Sequence, residues 1–212
     1  MKQTMNVKKI MAALLAVVLL IGIGVGGTLA WLMDTTPTVK NTFTVGKVTI
    51  TLKESPLNDD GSYGIPAEGT ANAYQLIPGK KYTKDPTVAV DATSEDCWLF
   101  VKFEENGIAA QYLTYTSTLN DDNGWTQGDG TVIPADVWYR EVKKTDTTRS
   151  WVLLQGNEIT INANTVTNET MGAAKDASLN YIAYAVQKAN DAASFSAEQA
   201  WDIALDGTLS TT

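Results

Sequence analysis

Histidine is absent from this chain of 212 residues, and cysteine occurs once, at Cys97. The lack of histidine excludes the Ser-His-Asp and Cys-His nucleophiles and the His-Glu-x-x-His helix of zinc peptidases. A single cysteine excludes an internal disulfide. Cys97 begins an apolar run to Phe103 that is typical of a buried strand, so we expect its thiol to act as a small core side chain. The sequence therefore predicts a protein that is not an enzyme and has no catalytic, metal-binding or cofactor-binding residues.

Phosphate-binding and calcium-binding motifs are also missing. The chain has no glycine-rich phosphate loop. Its Asn/Asp/Gly-rich stretches at residues 58–61 and 120–124 resemble parts of a calcium loop, but neither has the full series of ligand positions that ends in a glutamate. Turn formation explains both stretches, and weak calcium binding there stays open. Glu104 and Glu105 are adjacent and would point to opposite faces of a strand, which indicates solvated surface and not the paired acids of a glycosidase.

Basic side chains are outnumbered by acidic ones, 16 against 24, for a net charge of −8. Three of the 16 basic residues fall within residues 1–30, so the remainder carries 13 basic against 24 acidic side chains. Such an acidic surface argues against nucleic acid as a partner and against binding anionic lipid by charge. Residues 31–212 have the length of one ordinary domain.

A long apolar segment stands at the N-terminus. Residues 11–30 carry no charge, follow Lys8 and Lys9, and end in the small-residue stretch Gly-Gly-Thr-Leu-Ala30. A basic start, an apolar centre and a small-residue end are the parts of a secretory signal peptide. We therefore expect an N-terminal signal helix over residues 1–30, cleavage after Ala30, and Trp31 as the new N-terminus.

The same segment has two other interpretations. About 20 apolar residues are enough to span a bilayer, so an uncleaved membrane anchor stays open. A type IV pilin would keep its hydrophobic helix after cleavage, but here Asp34 and Pro37 follow almost at once. Export is the expectation in each case, with membrane contact only through the uncleaved signal.

The residues after the predicted cut form an apolar arm that leads into an alternating strand. The alternation of residues 43–45 and that of residues 48–52 are out of phase by one residue, and Gly46 permits a bend at the slip. We divide the chain into a signal peptide (1–30), a donor-strand arm (31–45) and one β-sandwich domain (46–212). The candidate polymerisation residues are the apolar side chains of the arm: Trp31, Leu32, Met33, Val39, Phe43 and Val45.

Short alternating segments between turn residues predict an all-β sandwich or barrel. The predicted strands cover residues 47–53, 82–90, 98–103, 112–118, 137–143, 150–154, 158–161 and 179–187. The strand at 98–103 is apolar on both faces, as expected at the centre of a sheet, and those at 137–143 and 150–154 are predicted to pair with each other. Residues 54–74 are polar and predict a surface insertion with a turn at Asp60-Gly61.

A short helix is predicted near the C-terminus. Ser196 and Gln199 stand at capping-box spacing, and Phe195 precedes them as a staple residue. The apolar stripe at helical spacing, which predicts core packing, is Ala197, Ala200, Trp201, Ala204 and Leu205. The helix is predicted to end at Asp206-Gly207.

Three stretches of the sequence resemble one known family. They are Gly26-Gly-Thr-Leu-Ala-Trp-Leu-Met-Asp34, Asn41-Thr-Phe-Thr-Val-Gly-Lys-Val-Thr-Ile50 and Leu76-Ile-Pro-Gly-Lys-Lys-Tyr-Thr-Lys-Asp-Pro86. Together they are similar to the TasA/camelysin family of Gram-positive surface proteins. The resemblance implies export through a SipW-type signal peptidase, a jelly-roll β-sandwich, and assembly into secreted fibres of a biofilm matrix or cell surface. The metallopeptidase label of the camelysin branch does not carry over, because no zinc-binding motif is present.

The arm suggests how such fibres would form. An apolar, strand-forming segment near the terminus can add to a sheet edge of a neighbouring subunit, and head-to-tail donation that does not close propagates a filament. The expected partners are other copies of the chain and the signal peptidase. Two other functions stay open: a monomeric surface binding or adhesion module that uses Tyr63 and Trp125 in the loops 54–75 and 119–130, and an exported hydrolase.

Overall fold

Alternating apolar and polar side chains build eleven strands in the described part of the chain. The computed structural model describes residues 44–45, 48–106, 108–189 and 194–206, all within one compact unit. Its strands are β1 (Thr44–Val45), β2 (Ile50–Lys53), β3 (Lys81–Thr83), β4 (Thr87–Val90), β5 (Cys97–Glu105), β6 (Leu113–Thr114), β7 (Thr126–Gln127), β8 (Val137–Val142), β9 (Ser150–Val152), β10 (Glu158–Ile161) and β11 (Leu179–Gln187). Its helices are α1 (Ala109–Tyr112), α2 (Met171–Ala174) and α3 (Ala197–Asp206), with 3-10 turns at Asp121–Asn123 and Gln155–Asn157. The predicted all-β class is confirmed.

The described strands form three sheets. The largest has five strands in the order β1-β11-β5-β8-β7, and the other two have three strands each, in the orders β3-β10-β6 and β2-β4-β9. Every pairing is antiparallel except β1 with β11, which is parallel. The chain therefore places its first and last described strands next to each other.

The strand β5 is the centre of the large sheet. It pairs along its full length with β11, from Cys97 opposite Gln187 to Glu105 opposite Leu179, and with β8 on its other side. Its residues 97 and 99–101 are buried, as expected for a strand that is covered on both faces. The predicted central strand is confirmed.

Two clusters of apolar side chains cover the two faces of the large sheet. The main cluster takes residues from all three sheets, including Leu99 of β5, Val88 of β4 and Ile159 of β10. The second lies between the opposite face of the large sheet and α3, where the Phe100 and Trp201 rings lie 5.2 Å apart. The helix therefore completes the burial of β5.

The capping box of α3 is confirmed by its hydrogen bonds. The Ser196 N–H donates to Gln199 Oε1 at 2.9 Å, and the Gln199 N–H donates to Ser196 Oγ at 3.3 Å. One residue of the predicted apolar stripe is wrong, because Leu205 is 57% exposed and Ile203 is buried instead. At 3.6 residues per turn, position 203 lies on the side of the helix that faces the sheet, and position 205 lies away from it.

The predictions for four strands differ from the structure in extent or in pairing. The segment at 82–90 is two strands in two sheets, β3 and β4, with Pro86 between them. The strands at 137–143 and 150–154 do not pair with each other: β8 lies in the large sheet, and β9 pairs with β4. The segment at 112–118 is shorter, because α1 takes Tyr112 and only Leu113–Thr114 forms β6.

The insertion at 54–74 is a surface excursion with the predicted turn. Gly61 has φ +82°, which a glycine adopts without strain, and Leu57 pairs with Tyr63 across the turn. Its base is not on the surface, since Glu54 and Ser55 are buried. In the described part of the chain, no helix is long and apolar enough to cross a membrane.

Candidate assembly edge of the large sheet

Most of the predicted assembly residues lie outside the described residues. These are Trp31, Leu32, Met33, Val39 and Phe43, together with the cleavage-site residue Ala30. The described end of the arm is β1, which contains Val45 and lies at the border of the large sheet. Within the arm, the structure therefore describes only the position of β1, Thr44–Val45.

The strand β1 lies parallel to β11, with Thr44 opposite Ala185 and Val45 opposite Val186. On its other side β11 is fully paired with β5. Along the side of β11 that faces away from β5, residues 179–184 pair with no strand among the residues that the structure describes. The edge of β11 thus accepts a parallel strand, and β1 occupies two of its nine residues.

The side chains of β11 alternate between the core and the outer face. Tyr181, Ala183 and Ala185 are buried in the main cluster, while Asn180 is exposed and Ile182 is half-buried. The Tyr181 ring stacks on Phe103 at 4.9 Å. Burial raises the pKa of the Tyr181 phenol, so it stays neutral. The edge therefore combines small apolar side chains with an anchored aromatic ring.

The strand after the arm lies on a different sheet. Residues 46–49 connect β1, at one border of the large sheet, to β2, at a border of the β2-β4-β9 sheet. Val48 and Ile50 join the same buried cluster as Ala183. Val48 and Ile50 therefore contribute to the core of the domain.

The opposite border of the large sheet differs from the β11 border. Strand β7 has two residues, both exposed, and pairs with Trp138 and Tyr139 of β8. A short, polar, exposed edge strand is a poor template for another chain. Of the two borders, the one at β11 is better suited to accept a strand.

The two candidate contacts of the binding-module hypothesis are not exposed. Trp125 is 1% exposed and packs edge-on against Trp151, with Arg140 over both rings. Tyr63 is half-buried, and its hydroxyl accepts a hydrogen bond from the Thr83 N–H at 2.9 Å. Turn residues around each aromatic predicted exposure, but the aromatic side chains themselves anchor the loops to the body.

One buried group escaped the sequence-based prediction. Glu54 and Lys84 form an ion pair at 3.0 Å, and Asn72 of the insertion joins them. Glu54 and Lys84 are 30 positions apart in the sequence, so no local sequence pattern indicates that they pair. The only signal was the family-like stretch that ends in Lys84-Asp85-Pro86.

Comparisons of the chain with protein-family models, with curated proteins and with solved structures found no match. The resemblance to the TasA/camelysin family accordingly stays a prediction from the three sequence stretches.

Proposed function

We propose that the protein is an exported structural subunit that assembles head-to-tail into fibres of an extracellular matrix or cell surface. The observation that carries the proposal is the parallel pairing of β1 with the border of β11. The sequence pattern of residues 1–30 supports export, and the acidic composition suits a secreted protein. The finer fold in this proposal is a jelly-roll sandwich of the TasA/camelysin type, which is consistent with a buried cluster that takes side chains from all three sheets.

The proposed assembly step is an exchange of the arm between subunits. In an isolated subunit the end of the arm lies on its own β11. In a fibre the arm, residues 31–45, lies on the β11 of the next subunit, with Gly46-Lys47 as the hinge. The contacts of residues 44–45 with β11 are the same in the two states, and exchanging an identical element is a low-cost route to assembly. Because each subunit gives its arm to the next and none is returned, the exchange propagates a filament.

The energetics of the arm make assembly finely balanced. Burial of one large apolar side chain contributes about 1.5–3 kcal/mol. Ordering the backbone of the arm costs about 1–2 kcal/mol per residue. The two contributions oppose each other and are of similar order, so a single charge placed on the apolar side of the arm is expected to prevent assembly, because an unpaired buried charge costs several kcal/mol.

A truncation tests the proposal. We expect a chain that starts at Trp31 to form fibres, and one that starts at Lys40 to remain a folded monomer, since Val48 onward carries the body packing. Negative-stain electron microscopy measures the fibres, and circular dichroism measures folding. Normal fibres from the chain that starts at Lys40 would show that the arm is not the donor.

Point variants sharpen the same experiment. Phe43→Asp and Val45→Asp are expected to block fibres while leaving the subunit folded. Ile65→Asp is the matched control, because Ile65 is 88% exposed on the insertion and the change leaves the arm untouched. We expect fibres from this control that match those of the unmodified chain.

A further inference from the structure

A lysine, an asparagine and a glutamate meet where the insertion returns to the body. Glu54 and Lys84 are 9% and 7% exposed. Lys84 Nζ lies 3.0 Å from Glu54 Oε2 and 3.3 Å from Glu54 Oε1. Asn72 Nδ2 donates to the same Oε1 at 2.8 Å. The Glu54 carboxylate therefore bridges the Lys84 nitrogen and the Asn72 amide. Both nitrogens contact Oε1, at 3.3 Å and 2.8 Å, so the distance between them cannot exceed the sum of these two distances.

Hydrogen bonds fix the orientation of the Asn72 amide. The Leu57 N–H donates to Asn72 Oδ1 at 2.7 Å. A backbone N–H is a donor only, so this end of the amide is its carbonyl oxygen. The other end, Nδ2, also lies 2.9 Å from the Ser55 carbonyl oxygen and 3.2 Å from the Tyr74 hydroxyl. The Leu57 N–H therefore polarises the Asn72 carbonyl, and the Asn72 amino group contacts the Glu54 carboxylate.

The surroundings of this cluster are aromatic. The Tyr74 hydroxyl donates to Glu54 Oε1 at 3.0 Å, and Lys84 Nζ lies 6.0 Å from the centre of the Tyr181 ring. The Lys84 and Glu54 side chains are therefore buried beside two tyrosine rings, and the Asn72 amide contacts the same carboxylate.

We propose that Lys84 and Asn72 join in an intramolecular isopeptide bond, with Glu54 as the proton-transfer catalyst. Lys84 Nζ attacks Asn72 Cγ, and the Leu57 N–H stabilises the negative charge that develops on Oδ1. Glu54 takes a proton from Nζ and delivers one to Nδ2, so that the Cγ–Nδ2 bond breaks and ammonia leaves. The lysine ammonium loses two protons in total. One proton joins the Asn72 amino group to form the ammonia that leaves, and the second proton converts this ammonia to ammonium. No oxidant, metal or cofactor is required.

The bond would brace a part of the molecule that has no other covalent link. It would tie the insertion, which carries Asn72, to the connection between β3 and β4, which carries Lys84. A cross-link of this kind stabilises chiefly by restricting the unfolded chain, as a disulfide does. The single cysteine excludes a disulfide in this chain. The proposal does not depend on fibre assembly.

Peptide mapping of the purified full chain tests the proposal directly. Trypsin is expected to release residues 54–80 and 82–102 as one branched peptide whose mass is lower by one ammonia than the sum of its two parts. Cleavage after Lys84 would be lost, and tandem mass spectrometry would place the branch at Asn72 and Lys84. Separate, unmodified peptides 54–80, 82–84 and 85–102 from folded protein would overturn the proposal.

Variants separate the cross-link from simple loss of ammonia by cyclisation at an asparagine. Lys84→Arg keeps the positive charge and should abolish the branched peptide, whereas cyclisation would persist. Glu54→Gln should slow formation of the branch by about 100-fold or more, the usual contribution of a positioned acid–base group. Lys81→Arg is the matched control, because Lys81 pairs with Glu158 at the surface, and it should leave the branch at full yield. A branched peptide that persists in Lys84→Arg would contradict the assignment.

Discussion

At the scale of single residues, Cys97 is the side chain whose role follows most directly from its surroundings. It is fully buried in β5, and burial raises the pKa of its thiol to about 12. At neutral pH the thiol therefore stays protonated and out of reach. We expect iodoacetamide to leave the native protein unlabelled and to label one site after denaturation, as measured by mass spectrometry. Rapid labelling of the native protein would contradict the buried position.

Trp125 is the residue whose predicted position was wrong, and its contacts imply a role in stability. Trp125→Ala is expected to lower the free energy of unfolding by about 3–5 kcal/mol, as is typical for removal of a core aromatic side chain. The Arg140 guanidinium packs on its ring at 5.2 Å and would lose that support. Denaturant unfolding measures the change. Ile65→Ala, at an exposed position, serves as the control and should stay within about 0.5 kcal/mol. A stable Trp125→Ala protein would revive the interpretation of Trp125 as a binding contact.

These residues also show where sequence patterns stop being informative. The run that begins at Cys97 predicted burial correctly, because the four residues that follow it, 98–101, are all apolar. Trp125 stands among Asn, Asp and Gly residues, which describe the conformation of the loop but not the direction of the tryptophan side chain. Glu54 and Lys84 meet only through the fold, so a buried ion pair was not predictable from either segment.

At the scale of elements, α3 is held at its start by the capping box. Ser196→Ala removes the side-chain acceptor of that box, and is expected to lower the free energy of unfolding by about 0.5–2 kcal/mol. Thermal or denaturant unfolding, followed by circular dichroism, measures the loss. Ser150→Ala, at an exposed position in β9, is the control and should change stability by less than about 0.5 kcal/mol. Equal stability of the two variants would mean that the cap does not hold the helix.

The elements that were predicted correctly are those whose pattern is long or chemically marked. The strands β5 and β11 run for nine residues each, and α3 has a cap and a periodic stripe. The pairing of strands was less predictable. A polar turn between residues 142 and 150 suggested a hairpin. The two strands lie in different sheets instead, because β8 pairs with β5 and β9 pairs with β4. Pro86, which has no N–H to donate, coincides with the point at which the chain changes sheet.

At the scale of the whole molecule, the proposed assembly takes place at the border of β11. Its observed partner is the end of the arm, while Val48 and residues after it contribute to the core of the domain. We expect that the first strand can be released without unfolding this core. The excess of 24 acidic over 13 basic side chains in residues 31–212 keeps subunits apart at low ionic strength, so we expect salt to promote the exchange.

Cysteine trapping distinguishes an arm that pairs with the next subunit from one that stays on its own β11. Thr44→Cys and Ala185→Cys, in a Cys97→Ala background, place two thiols on directly paired residues. Adjacent strands lie about 4.8 Å apart, within the range that a disulfide can bridge. Fibres are grown under reducing conditions, oxidised, dissolved in denaturant and separated on a non-reducing gel, with each single-cysteine chain as a control. Arm exchange predicts a ladder of covalently linked subunits from the double variant alone, whereas a single monomer band with an internal disulfide would contradict it.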